Sequence, residues 1–142
     1  MESLMTVGMI GLLLLIAVID YRKKEIARKV LILMILLVGV NYLLYQPISI
    51  QSSLGGLMLG IVLLLLSVIT KEKIGKGDAY LIMVLGGYLG ISRISLVLLY
   101  ALTLCAILSG LLLICKKVKR EYRVAFVPFI FVGFIGVLCN GI

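Results

Sequence analysis

The chain contains no histidine. It therefore lacks the side chain most used for proton transfer near neutral pH, which is also the commonest metal ligand. Its three cysteines, Cys105, Cys115 and Cys139, lie in or at the ends of apolar runs, and none forms a CxxC pair. They read as small hydrophobes within helices, so neither a zinc site nor a disulfide framework is expected. No metal and no cofactor is implied. Charge is scarce as well: 14% of residues, gathered in three short clusters, with only six acids. The sequence GKGD at 75–78 lacks the glycine spacing and the Ser or Thr after Gly-Lys that a P-loop needs.

What the chain has instead is apolar bulk. Hydrophobic residues make up 63% of its 142 positions, and the mean hydropathy is +1.29. A soluble domain is nearer half apolar, and a globule of this size could not hide the excess. The expectation is an all-α, polytopic integral membrane protein forming a single domain over residues 1–142.

A helix needs about 20 residues, and at least about 17, to cross the hydrocarbon core. Candidate spans are 4–20, 30–46, 53–70, 79–92, 94–115 and 124–141, with GISRIS (90–95) as a tight turn between the fourth and fifth. The chain begins MESL, with an acid and no base, and its first basic residues come after the apolar run, unlike a cleavable signal peptide, so span 4–20 is the first membrane helix. It is expected to persist as a membrane helix.

All of the 14 Lys and Arg except Arg93 fall in YRKKEIARK (21–29), KEKIGKG (71–77) and KKVKREYR (116–123). With six spans, these loops share one side, and short basic loops stay in the cytoplasm. Both termini then face outward. The net charge of +8 is explained by topology and by anionic lipid, so the bilayer is the expected partner and nucleic acid is not. Pairs of glycines four apart, Gly56 with Gly60 and Gly86 with Gly90, allow helix backbones to approach closely in lipid. They read as packing; the oligomeric state is not legible.

Two acids stand apart from the rest. Glu25, Glu72 and Glu121 sit among basic residues as local ion pairs, and Glu2 lies at the outer terminus. Asp20 closes the first span in LLIAVIDYRKK, and Asp78 opens the fourth in IGKGDAYL. By the topology above, both lie at the cytoplasmic boundary. Asp78 suits a helix N-terminus, whereas Asp20 ends a helix where the dipole disfavours it. Two carboxylates within hydrogen-bonding reach share a proton, so that one takes a proton from water while the other donates to a scissile carbonyl. Periodicity does not show whether spans one and four touch.

The longer segment GKGDAYLIMVLGGYLG resembles the GxGD element of membrane aspartyl proteases, and in particular the type IV prepilin peptidase family with its preflagellin peptidases. In that family the catalytic pair is an aspartate ending an early helix before a basic stretch, and the GxGD aspartate. Asp20 in IDYRKKEI and Asp78 match those positions. AFVPFIFVG (125–133) is similar to the family's late Pro-Phe element, with Pro128 and Phe129.

The resemblance implies an endopeptidase of a prokaryotic plasma membrane that cuts a short basic leader from a prepilin-like or preflagellin-like protein at the cytoplasmic face. Gly75 and Gly77 would shape a loop beside the peptide. Glu25 and Glu72 are the acids available to receive the leader, against their reading as solvated ion pairs.

The chain also departs from the family pattern. Ala27 replaces a frequent proline and Tyr80 a common lysine, and the cysteine-containing cytoplasmic insertion of the larger members is missing. Those members also methylate their product with S-adenosylmethionine; no element here carries that activity over. A transporter or proton-coupled carrier and a non-catalytic assembly subunit are the competing readings, although the acids of an ion path tend to lie nearer the midplane.

Overall fold

The computed structural model describes residues 2–23, 28–45, 48–71, 75–115 and 125–141. Glu25, Glu72, Glu121 and Ala27 lie outside them. Every described element is a helix: α1 (Glu2–Lys23), α2 (Arg28–Tyr45), α3 (Ile50–Ile69), α4 (Lys76–Ile114) and α5 (Val127–Cys139). The first four are long and apolar enough to cross a membrane. α5 is apolar but has 13 residues, about 20 Å of helix against a hydrocarbon core of roughly 30 Å. It is shorter than the expected span 124–141. Pro128 lies in its first turn, and Asn140 and Gly141 (φ 65°) close its last.

Leu14, Leu15 and Val18 on α1, and Met58, Val62 and Leu65 on α3, face outward. In water such a surface would drive association; in lipid it is simply solvated.

α3 and α4 form the closest pair. A Cβ added to Gly56 would overlap the carbonyl of Gly86, and one on Gly86 would overlap the carbonyl of Gly56. A Cβ on Gly60 would sit 2.5 Å from the Cβ of Met83. Nearby, the Ser53 hydroxyl donates to the Gly87 carbonyl at 2.9 Å. As α3 ascends through 53, 56 and 60, its partners on α4 descend through 87, 86 and 83, so the two helices are antiparallel. Gly8 on α1 lies against Leu37 on α2, and only residues 24–27 join those helices, so they too are antiparallel. One end of the bundle therefore gathers Lys23, Arg28, Ile69 and Lys76, and the other gathers the start of α1 and Gly90.

The 39 residues of α4 are not one rod. Gly90 has φ 79° and ψ 167°, a region nearly closed to any residue with a Cβ. The break falls on the first residue of GISRIS, and the chain is helical again directly after it: the Ser95 hydroxyl donates to the Ile91 carbonyl at 2.7 Å. The expected tight turn is thus a one-residue hinge. Beyond it, Ile94, Val97 and Ala101 are buried, and a Cβ on Gly133 of α5 would lie 2.7 Å from the Val97 oxygen. Val127, at the start of α5, hydrogen-bonds Asp20 at the far end from Gly90. Gly133 is only six residues from it, about 9 Å. The arm 91–114 therefore comes back alongside the bundle instead of continuing past it.

The crossing of α3 and α4 gives a direct test. Gly56→Ala and Gly86→Ala should each destabilise the protein by about 1–3 kcal/mol or more, the usual range for overpacking. Gly136→Ala, where a Cβ meets nothing within 4 Å, should leave thermal unfolding in detergent unchanged. Equal stability of all three variants would contradict the close crossing.

Candidate active site

On α1, the buried residues Met9, Leu13, Ile16 and Asp20 recur at helical spacing, so Asp20 ends the stripe that faces the core. It is only 6% exposed. At the C-terminus of its own helix, a carboxylate meets the negative end of the dipole. Its compensation comes from elsewhere: the Val127 backbone N–H donates to Asp20 Oδ2 in a long hydrogen bond of 3.4 Å. Val127 is the first residue of α5, where N–H groups have no partner within the helix. Asp20 thus lies at the positive end of α5, a natural seat for an anion. Pro128 comes next in that turn and has no N–H, while Phe129 N–H is already engaged with the Phe126 carbonyl at 3.0 Å.

Asp78 lies in the first turn of α4, where the dipole favours a carboxylate. It is half-buried, and it opens the stripe Ile82, Leu85 and Leu89, all buried. Gly75 caps this helix with φ −62° and ψ 125°, and Gly77 lies within the first turn. Neither residue uses the left-handed conformation open to glycine. The loop expected around them is therefore a helix start with Asp78 already in it. Tyr80 projects outward.

Both aspartates occupy the same end of the bundle. The Thr6 hydroxyl on α1 and the Tyr88 hydroxyl on α4 are hydrogen-bonded at 3.1 Å. From that bond, Asp20 lies 14 residues along α1, about 21 Å, and Asp78 lies 10 residues back along α4, about 15 Å. Because the helices run in opposite directions, these displacements point the same way. Among the described residues, however, the backbones of α1 and α4 nowhere come within 8 Å of each other. α5 packs against α1 and against α4, where Gly133 meets Val97 and Tyr100 of the arm beyond Gly90, and it buries Val127, Ile130, Phe134 and Val137. Both aspartates lie at this end of the bundle, Asp20 buried beside the first turn of α5 and Asp78 half-buried at the start of α4.

Asp20, Asp78, Gly75, Gly77, Pro128 and Phe129 thus belong to two helix starts and one helix end. Glu25 and Glu72 fall outside the described residues. Sequence reasoning missed Val127, which acts through its backbone amide and leaves no side-chain signal. It also missed the Thr6–Tyr88 bond, whose members look ordinary in isolation.

The model of the type IV leader peptidase family matches residues 7–110, well over half of the chain. The chain belongs to that family. No curated protein and no solved structure matches it. The matched region of this leader peptidase relative contains both aspartates and stops before α5, so the residue that donates to Asp20 lies beyond it.

Asp20→Asn keeps an oxygen acceptor for Val127, so in this family member the unfolding temperature should stay within a few degrees of wild type. Asp20→Leu removes the acceptor and leaves a buried N–H unsatisfied, at a cost of about 1–3 kcal/mol. Equal stability of the two variants would show that the Val127 bond contributes nothing.

Proposed function

We propose that this member of the type IV leader peptidase family is a multi-pass aspartyl endopeptidase of a prokaryotic plasma membrane. It would remove a short basic leader from prepilin-like or preflagellin-like proteins. The observation that carries this reading is the location of Asp20 and Asp78 at one end of the bundle, each on a core-facing stripe. Counting both arms of α4 and α5 as crossings gives six spans, with the three basic clusters in the cytoplasm and both termini outside. The aspartates then lie at the cytoplasmic face, at the depth where a basic leader meets the apolar helix of its substrate.

In this mechanism the ionised carboxylate takes a proton from water as the water oxygen attacks the scissile carbonyl. The protonated carboxyl donates to the carbonyl oxygen. Collapse of the tetrahedral intermediate breaks the C–N bond, and a proton passes to the departing amine. The first turns of α4 and α5, with Gly75, Gly77, Pro128 and Phe129, would flank the substrate backbone. Glu25 or Glu72 would receive the basic leader, against their reading as solvated ion pairs.

The test is cleavage of a co-expressed candidate prepilin in membranes, with protein levels matched. Wild type should shorten the substrate, and Asp20→Asn and Asp78→Asn should each reduce cleavage by on the order of 100- to 10,000-fold, the usual worth of a general acid or base. Cleavage by both variants at the wild-type rate would overturn the assignment. In the same assay Glu72→Lys should slow cleavage if Glu72 receives the leader; an unchanged rate removes it from that role.

A further inference from the structure

Among the described residues α2 and α3 make no close backbone contact, and a groove floored by α4 lies between them. Its volume is about 630 Å³, and its walls include Val38, Leu43, Leu54, Leu57, Met83 and Gly87. Beside it is a cavity of about 10 Å³ that shares Val38, Tyr42 and Gly87 with the groove and is also lined by Asn41 and Tyr88. Asn41 is 3% exposed, and among the described residues its Oδ1 has no hydrogen-bond partner. A buried amide oxygen without a donor is costly in any protein, and more so at membrane depth. Room for one oxygen-sized group beside it is what a missing donor requires.

The groove faces away from the aspartates. Met83, Val84 and Gly87 line it, and they centre roughly 180° around the helix from Asp78 at 100° per residue. A substrate bound at the carboxylates would not lie in it. Its volume corresponds to about 20 methylene-sized groups, taking each as about the 30 Å³ of a water. That is the size of one acyl chain and several-fold too small to enclose a transmembrane helix. Asn41 lies four residues from the end of α2, about 6 Å, where hydrocarbon gives way to the polar interface.

We propose that this groove binds one acyl chain of a hydroxyl-bearing membrane lipid, whose hydroxyl donates to Asn41 Oδ1. The hydroxyl fills the small cavity, and the chain runs down between α2 and α3 towards Leu57 and Met83. The site depends on the chain being embedded in a bilayer and not on its peptidase activity, so either reading can fail without the other.

The test uses the full chain in phosphatidylcholine vesicles, with two photoactivatable probes. One is a monoacylglycerol carrying a diazirine at mid-chain, and the other is the methyl ester of the same chain, which has no donor. Labelled peptides are mapped by mass spectrometry. The monoacylglycerol should label the groove on the order of three- to tenfold more than the ester, the ratio that one hydrogen bond gives. Asn41→Leu, which replaces the orphaned amide by an apolar group of similar size, should abolish that preference. Gly39→Leu, at a groove position where a Cβ meets nothing within 4 Å, should fill the groove and reduce labelling by both probes. Thermal unfolding checks that both variants fold. Equal labelling by the two probes in wild type would mean a water at Asn41 and unselective lipid, and would overturn the proposal. So would labelling spread evenly over α1 to α4, or a preference that survives Asn41→Leu.

Discussion

A carboxylate more than nine-tenths buried at the C-terminal end of an apolar helix has to be satisfied by something outside that helix. One donor to Asp20 is the first N–H of α5, and this pairing sets where that helix begins. It holds the start of a short helix against the end of α1, and that helix buries an apolar stripe in the core. The same contact fixes the level of Gly133, and hence where the second arm of α4 must pack. A 13-residue helix would be a weak membrane crossing by itself. As the element that meets Asp20, its length matters less than where it begins.

The two ends of the bundle are held differently. At the Gly90 end, polar side chains join helices directly: Thr6 to Tyr88, and Ser53 to the Gly87 carbonyl. Interhelical hydrogen bonds of this kind are worth about 1 kcal/mol in membranes, and the glycine crossing of α3 and α4 adds close van der Waals contact. At the aspartate end, the Val127 N–H joins the start of α5 to Asp20 of α1.

Much of this was legible in the sequence, because lipid imposes simple rules. The positions of the helices follow from apolar length, and the two odd acids stand out by their places at the ends of apolar runs. The close approach of α3 and α4 could be read from glycines four apart. Less could be read about which faces meet. The helices are apolar on every side, since lipid and core make the same demand, so the stripes Met9–Leu13–Ile16–Asp20 and Asp78–Ile82–Leu85–Leu89 carry no periodic contrast with their neighbours. The hinge at Gly90 was displaced within GISRIS for a related reason: serine and arginine look like turn residues, yet only glycine tolerates the conformation that breaks the helix. Val127 was invisible because any residue but proline supplies the same amide.

The most direct measurement is a distance between the two acids. In a background with Cys105, Cys115 and Cys139 replaced by alanine, the double variant Asp20→Cys/Asp78→Cys would be treated in membranes with a thiol crosslinker spanning about 10 Å. The control is Gly8→Cys/Asp78→Cys, in which the first position lies 12 residues, about 18 Å, along α1 from Asp20. Crosslinking at 20 and 78 but not at 8 and 78 is the result expected if both acids face one site. Failure at 20 and 78, or equal yields for the two pairs, would contradict the shared site itself.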